Sequence, residues 1–182
     1  MLAEATNLRA MTPNVCFALL DAAVIGGRGE DPVVDRMTHA RLLEEVAALG
    51  GVLRHLGVGV GVPVVIDLED DLDAVVAALA SARIGGVVTP QDDPSAPVVL
   101  TSKTSTVGAS GRTRVVRGEE VREPDLEWGV MMRAGRTDPA ACEVLDPVSS
   151  YSPERSVAEQ IEVLAQSSPP YDAAGLRGLL QV

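Results

Sequence analysis

Large aromatic rings are scarce here: Phe17, Trp128, Tyr151 and Tyr171 are the only four in 182 residues, so the core has to be built from Val, Leu and Ala. Cysteine is as rare. Cys16 and Cys142 stand far apart with no Cys-x-x-Cys pair, which excludes a metal knuckle. The opening residues lack a basic flank followed by an apolar core, so no secretory signal is read and a cytoplasmic protein is expected. No apolar run approaches the roughly 20 residues of a spanning helix, and no membrane partner is expected. A net charge of -11 leaves too few clustered cations to neutralise a phosphate backbone, which argues against a nucleic-acid partner. Internal repeats, coiled-coil heptads and long low-complexity segments are absent as well. The length suits one domain with a proper core.

The chain is organised around residues 38–88. Thr38 is a candidate N-cap, and Leu42, Val46, Leu49, Leu53 and Leu56 follow at helical spacing until Gly57. After a glycine-rich turn, Pro-Val-Val-Ile at 63–66 is apolar on both faces, the pattern of a central strand covered by helices on both sides of a sheet. Asp70 or Asp71 caps a second helix carrying Leu72, Val75, Val76 and Leu79; Gly85 closes it and a short strand follows at 86–88. Strand, helix, strand is a right-handed parallel crossover.

Residues 1–13 read as a loose arm, and residues 14–24 as a short helix capped by Asn14 with Phe17, Leu20 and Val24 inward. An apolar strand at 97–101 leads into a Ser/Thr/Gly-rich loop that holds Ser105 and ends at Arg112 and Arg114. Hydroxyls, glycine-freed amides and cations after a buried strand can hold a phosphate. The G-x-x-x-x-G-K-[ST] spacing is absent, however, which favours a plain connection between strands. Residues 113–117 form a further strand candidate. Pro124 and Asp125 then open a short helix that turns Trp128 inward. Residues 156–182 make a C-terminal helical segment, with Ser156 as a cap and a last helix at 171–180 weakened by Gly175 and Gly178.

Other chemistry-bearing residues have simpler readings. Asp67, Glu69, Asp70, Asp71 and Asp73 sit at a strand end and helix start, where capping explains them better than Mg²⁺ binding. His39 and His55 lie several turns apart on one helix and cannot share a metal; both are read as exposed or half-buried. Cys16, in an apolar helix, is read as a small buried hydrophobe rather than a nucleophile. No G-x-S-x-G elbow supports a serine triad.

Three collinear pieces resemble the N-terminal subdomain of acetyl-CoA and propionyl-CoA synthetases, AMP-forming members of the acyl-adenylate family. The first is the helix at 14–21 with Gly-Arg-Gly-Glu-Asp-Pro at 27–32. The second runs over 38–61 and includes Ala-Arg-Leu-Leu-Glu-Glu-Val at 40–46, joined by Ala-Arg-Ile-Gly-Gly-Val-Val at 82–88. The third is Asp-Leu-Glu-Trp at 125–128 through Asp-Pro at 146–147, which is similar to the segment that leads into the family's phosphate loop. The resemblance implies a single α/β domain over 1–182, a Rossmann-like layered parallel sheet flanked by helices.

Where the phosphate loop should follow, residues 148–155 read Val-Ser-Ser-Tyr-Ser-Pro-Glu-Arg, without glycine or lysine. The family's later parts, among them the adenine pocket and the C-terminal domain with its catalytic lysine, have no counterpart in these residues. The expectation is a truncated homologue that does not catalyse adenylation on its own, with no catalytic and no metal-ligating residue. The family activity is that of an acid–thiol ligase. Family arginines after the corresponding strand hold a phosphate of CoA, so the resemblance points to Arg112 and Arg114, beside Ser105, as the residual cofactor site for CoA or an adenine nucleotide. Three functions stay open: a non-catalytic binding or interaction module, a component of a split synthetase completed by another chain, and a CoA or nucleotide sensor without turnover. An apolar face left unpaired by the missing parts is expected to be covered by the 156–182 segment, by a homodimer or by a partner chain.

Overall fold

A computed structural model describes residues 12–102, 104–107, 111–118 and 120–182. The arm expected over 1–13 lies outside the described residues apart from its last two. Asn14 caps the first helical run: its Oδ1 accepts from the Cys16 and Phe17 amides at 2.9 and 3.3 Å. The run passes through a π-type turn, Phe17–Asp21, into α1 (Ala22–Ile25). A small antiparallel hairpin follows, β1 (Pro32–Val34) with β2 (Met37–Thr38).

The organising stretch forms as its pattern requires. Helix α2 (His39–His55) starts where the Thr38 hydroxyl accepts from the Arg41 amide at 3.3 Å. Gly57, at φ +89, turns the chain out of it. Strand β3 (Pro63–Asp67) and helix α3 (Asp71–Arg83) follow, and the Asp70 carboxylate receives the Asp73 amide at 2.9 Å. Gly85, at φ +78, is crowded: a Cβ there would lie 2.8 Å from Leu145 Cδ2 and 2.9 Å from Val60 Cγ2.

Strands β4 (Val87–Thr89), β5 (Val98–Ser102), β6 (Thr113–Arg117) and β7 (Leu126–Glu127) complete an all-parallel sheet of order β4-β3-β5-β6-β7. Here one expectation is corrected. Residues 126–127 are not helical; they pair with Val115 and Val116 and satisfy the open edge of β6. Helix α4 (Trp128–Gly135) begins one residue later, with the Glu127 carboxylate accepting from the Gly129 amide. Beyond it lie a second hairpin, β8 (Ser150–Ser152) and β9 (Arg155–Ser156), then α5 (Val157–Ala165) and α6 (Ala173–Leu180).

The two sheet faces are covered differently. Val64, Ile66, Val98, Leu100 and Val115 join one large apolar core with residues of α2, α3, α4 and α6. On the opposite face Val65 and Val99 bury against Ala96 and half-buried Val107, both from loops. The apolarity of residues 63–66 on both faces thus reflects helices on one side and connecting loops on the other. Helix α6 packs on α3 and buries Leu176 and Leu180 completely, so part of the C-terminal segment takes up that helix's free face. His39 also departs from expectation. It is buried, with Nδ1 2.9 Å from the Asp31 carbonyl, because the first turn of α2 sits behind the β1–β2 hairpin.

Candidate functional site

In a parallel sheet the chemistry-bearing groups gather on the loops beyond the carboxyl ends of the strands. On the loop-covered face, register sets Asp67 beside Thr101, and Val99 beside Arg114. The Thr101 hydroxyl donates to Asp67 Oδ2 at 3.2 Å, and the Ser105 hydroxyl donates to the same oxygen. Ser105 Oγ in turn accepts from the Val107 amide at 3.1 Å. Arg114 reaches across to this loop: Nη2 donates to the Ser105 carbonyl at 2.8 Å, and Nη1 pairs with Asp125 Oδ2 at 2.8 Å. Nearby, the Glu69 amide donates to Ser102 Oγ at 2.9 Å and Thr104 pairs with the Glu69 carboxylate.

Ser105 and Arg114, two of the three residues singled out from the sequence, therefore meet. Arg112 does not join them. Its Nη1 donates to the Asp93 carbonyl at 2.7 Å and its Nη2 pairs with the Asp92 carboxylate, on the connector between β4 and β5. The Ser95 hydroxyl and amide hold the Asp93 carboxyl below the usual range, with Arg112 a smaller cause. Next to this connector is a cavity of about 290 Å³ whose lining includes Asp92, Asp93, Ser152, Glu154 and Gln181. Three carboxylates make it a poor seat for a phosphate.

The electrostatic balance of the Arg114 cluster is simple. The Arg114 guanidinium pairs with one carboxylate, Asp125, and both of its Nη atoms are engaged, while its buried Nε has no hydrogen-bond partner among the described residues. The arrangement clamps the loop after β5 to the sheet and to the segment before β7; an anion at Arg114 has to displace Asp125. The acidic run distributes as caps and pairs. Asp70 caps α3, Asp71 pairs with Arg177 at 2.8 Å and Asp73 with Arg117 at 2.6 Å. Among the described residues no group of three or more His, Cys, Asp and Glu side chains is placed to hold a metal. No described helix is long and apolar enough to cross a membrane.

The residues at the expected phosphate loop are committed to local structure. The Val148 amide donates to Asp146 Oδ1 at 3.0 Å and the Ser149 amide to the Asp146 carbonyl at 2.9 Å. The Glu154 amide donates to Ser152 Oγ at 3.3 Å, and the Ser156 amide to the Glu159 carboxylate at 2.8 Å.

A polar knot that sequence patterning misses lies at the opposite end of α3. Arg83, buried, donates from Nε to the Ala140 carbonyl at 2.7 Å and from Nη1 to Asp21 Oδ2 at 2.9 Å. Asn14 Nδ2 donates to the carbonyls of Ala82, Arg83 and Glu143 at 3.0, 3.1 and 3.0 Å. Burial raises the Cys16 thiol well above its ordinary value, and raises that of Cys142 to about 12. Cys16 is thus an inert core residue, as its apolar helix implied.

The parallel sheet, its helices and the disposition of loops define the N-terminal fold of the acyl-CoA ligases. Residues 21–109 match the family described as AMP-binding enzyme. The chain is 49% identical over 57 residues to acetyl-coenzyme A synthetase of Xylella fastidiosa, covering 31% of this chain and 9% of that one. It is 37% identical over 89 residues to acetyl-coenzyme A synthetase of Rhodopirellula baltica, covering 41% of this chain and 13% of that one. The crystal structure of the anthranilate CoA ligase AuaEII superposes with a TM-score of 0.65 at 18% identity, over 78% of this chain and 32% of the ligase. The resemblance read from the sequence is borne out, and the chain spans about a tenth of the curated synthetases and a third of the ligase structure.

Proposed function

We propose that these 182 residues form a non-catalytic binding or interaction module of the acyl-CoA ligase type. The observation that carries this reading is the hairpin at 148–156: where a synthetase presents free amides and a lysine to ATP phosphates, four backbone donors here are spent on Asp146, Ser152 and Glu159. The self-neutralised Arg114 and the diversion of Arg112 to Asp92 and Asp93 support the same conclusion, because neither guanidinium is held ready for a CoA phosphate.

Isothermal titration with CoA, ATP and a non-hydrolysable acyl-adenylate analogue tests the reading. A module predicts no heat of binding from any of the three. Saturable binding of CoA lost in Arg112→Ala with Arg114→Ala establishes the sensor instead. As an interaction module the chain is proposed to work as a homodimer or with a partner chain. Light scattering tests the first: a dimer mass supports it, and a monomer mass leaves a partner chain or a face covered by the 156–182 segment alone.

A further inference from the structure

A cavity of about 240 Å³ lies where the first helical run, the start of α2 and the C-terminal segment meet. Its walls are tied together. The Tyr171 amide donates to the Val33 carbonyl at 2.9 Å and the Tyr171 carbonyl accepts from the Asp35 amide at 2.7 Å, which holds the link between α5 and α6 to β1. The turn before β1 is fixed by the Arg28 amide on the Ala23 carbonyl at 2.9 Å. Leu19, Ile161 and Leu164 give the cavity an apolar side, and Arg28, His39, Ser167, Ser168 and Tyr171 a polar one.

The polar side is short of donors. His39 is 2% exposed, and its Nδ1 stands 2.9 Å from the Asp31 carbonyl. A carbonyl only accepts, so the ring proton belongs on Nδ1 and Nε2 presents a lone pair. Nε2 has no hydrogen-bond partner among the described residues. The Ser167 hydroxyl donates to the Leu164 carbonyl at 3.1 Å, so the 3.3 Å contact between Ser167 Oγ and the Tyr171 hydroxyl uses the tyrosine's proton. Tyr171 Oη is thus left as a second acceptor on the same cavity. A buried acceptor without a partner is costly, and the pair calls for a donor from outside the chain. No carboxylate lines the cavity, so an ammonium would find no counter-charge there. Its one charged group is Arg28, exposed and without an ion-pair partner among the described residues. A guanidinium at the rim suits a carboxylate, which it can hold through two parallel hydrogen bonds.

We propose that this cavity binds a short hydroxycarboxylate, its carboxylate on Arg28, its hydroxyl donating to His39 Nε2 and its carbon chain against Leu19, Ile161 and Leu164. One cation matches one negative charge, and a volume below that of drug-sized sites limits the ligand to a few carbons. A hydroxyl supplies the missing donor without a second charge. The site shares no residue with the loops after β5 or with residues 148–156, so its failure leaves the reading of a non-catalytic module untouched.

His39 and His55 are the only two histidines, and His55 is exposed, so nitrogen NMR of the imidazole rings reports on the cavity with an internal control. The intact ¹⁵N-labelled chain is titrated with lactate, propionate and propane-1,2-diol at constant ionic strength. The free chain is expected to show His39 protonated on Nδ1. Lactate should shift its Nε2 resonance saturably while His55 stays still. Propionate, which lacks the hydroxyl, and the diol, which lacks the carboxylate, should each bind at least about tenfold more weakly. Arg28→Gln, at an exposed position, is expected to weaken lactate at least about tenfold, and Tyr171→Phe severalfold. Arg36→Gln, exposed in the β1–β2 turn and outside the cavity lining, leaves it unchanged. No saturable shift up to about 20 mM lactate, or affinity unaltered by Arg28→Gln, overturns the site. A proton on Nε2 in the free chain, or equal affinity for propionate, overturns the hydroxyl contact. Equal affinity for the diol overturns the carboxylate.

Discussion

Replacing Asp21 with alanine leaves the Arg83 guanidinium buried against α1 without its carboxylate. The two side chains are 13% and 8% exposed, and Nη1 touches both oxygens of Asp21 at 2.9 and 3.1 Å. Breaking one side of a buried pair costs about 3–5 kcal/mol, because the remaining charge is neither solvated nor paired. The slight exposure of both partners puts Asp21→Ala near the lower end, about 3 kcal/mol. Arg83→Met is expected to cost about as much, since it strands Asp21 and also leaves the Ala140 carbonyl without its 2.7 Å donor. The double change removes both charges together. It should cost only the unpaired carbonyl and some packing, about 1–3 kcal/mol, giving a coupling energy of about 2 kcal/mol or more. Urea unfolding followed by the buried Trp128 reads this directly. With a slope of roughly 2.5 kcal/mol per M, Asp21→Ala shifts the midpoint down by about 1.2 M. A shift under about 0.3 M, or strict additivity of the two single changes, would show that Arg83 finds water or another partner and that the knot does not hold α1 to α3.

Other consequences follow from named contacts. A Cβ at Gly135 would lie 2.1 Å from the Ala48 carbonyl oxygen, so Gly135→Ala should force α2 and α4 apart at a cost of about 3 kcal/mol, read as a melting temperature lower by roughly 6–12 °C; an unchanged melt refutes the close crossing. Leu176→Ala and Leu180→Ala, each emptying a fully buried position between α6 and α3, should each lose about 2–5 kcal/mol in the same urea assay, and losses below about 1 kcal/mol would mean α6 does not dock. With its thiol raised to about 12 by burial, Cys142 is ionised to only about 10⁻⁴ at pH 8, so iodoacetamide should label it far more slowly in the native chain than in urea; equal rates would contradict its placement. Glu159 is held below its ordinary value by the Ser156 amide and hydroxyl. Its capping contribution is therefore full above the unfolded carboxylate pKa and is lost as pH falls through the lower folded one; Glu159→Gln should flatten the acid limb of the stability curve over that window, and a limb of unchanged steepness would dismiss the capping box.

What the sequence makes legible here is local and periodic. Thr38, Asp70 and Ser156 cap helices because a short polar side chain before an apolar stripe has one good use there. The strand at 113–117 forms as read, its Val115 and Val116 both buried. Two- and three-residue strands carry no period, so β1, β2 and β7 escape such a reading. Long-range polar contacts escape it too: Asn14 is recognisable as a cap, yet its three bonds to carbonyls 68 to 129 residues away are not. At the candidate site the meeting of Ser105 with Arg114 follows from their place around one strand connection. The carboxylates that neutralise the arginines, Asp92 and Asp125, come from other connections and are set by sheet order.

The proposal that these residues do not activate an acid is tested with the least interpretation by ATP–pyrophosphate exchange, which measures that step. Purified chain, Mg²⁺, ATP and labelled pyrophosphate are combined with acetate or propionate and compared with heat-killed protein. With the amides of Val148, Ser149, Glu154 and Ser156 already spent and no lysine at 148–155, the expected rate equals that of the control. Exchange above the control that depends on the added acid would contradict the account.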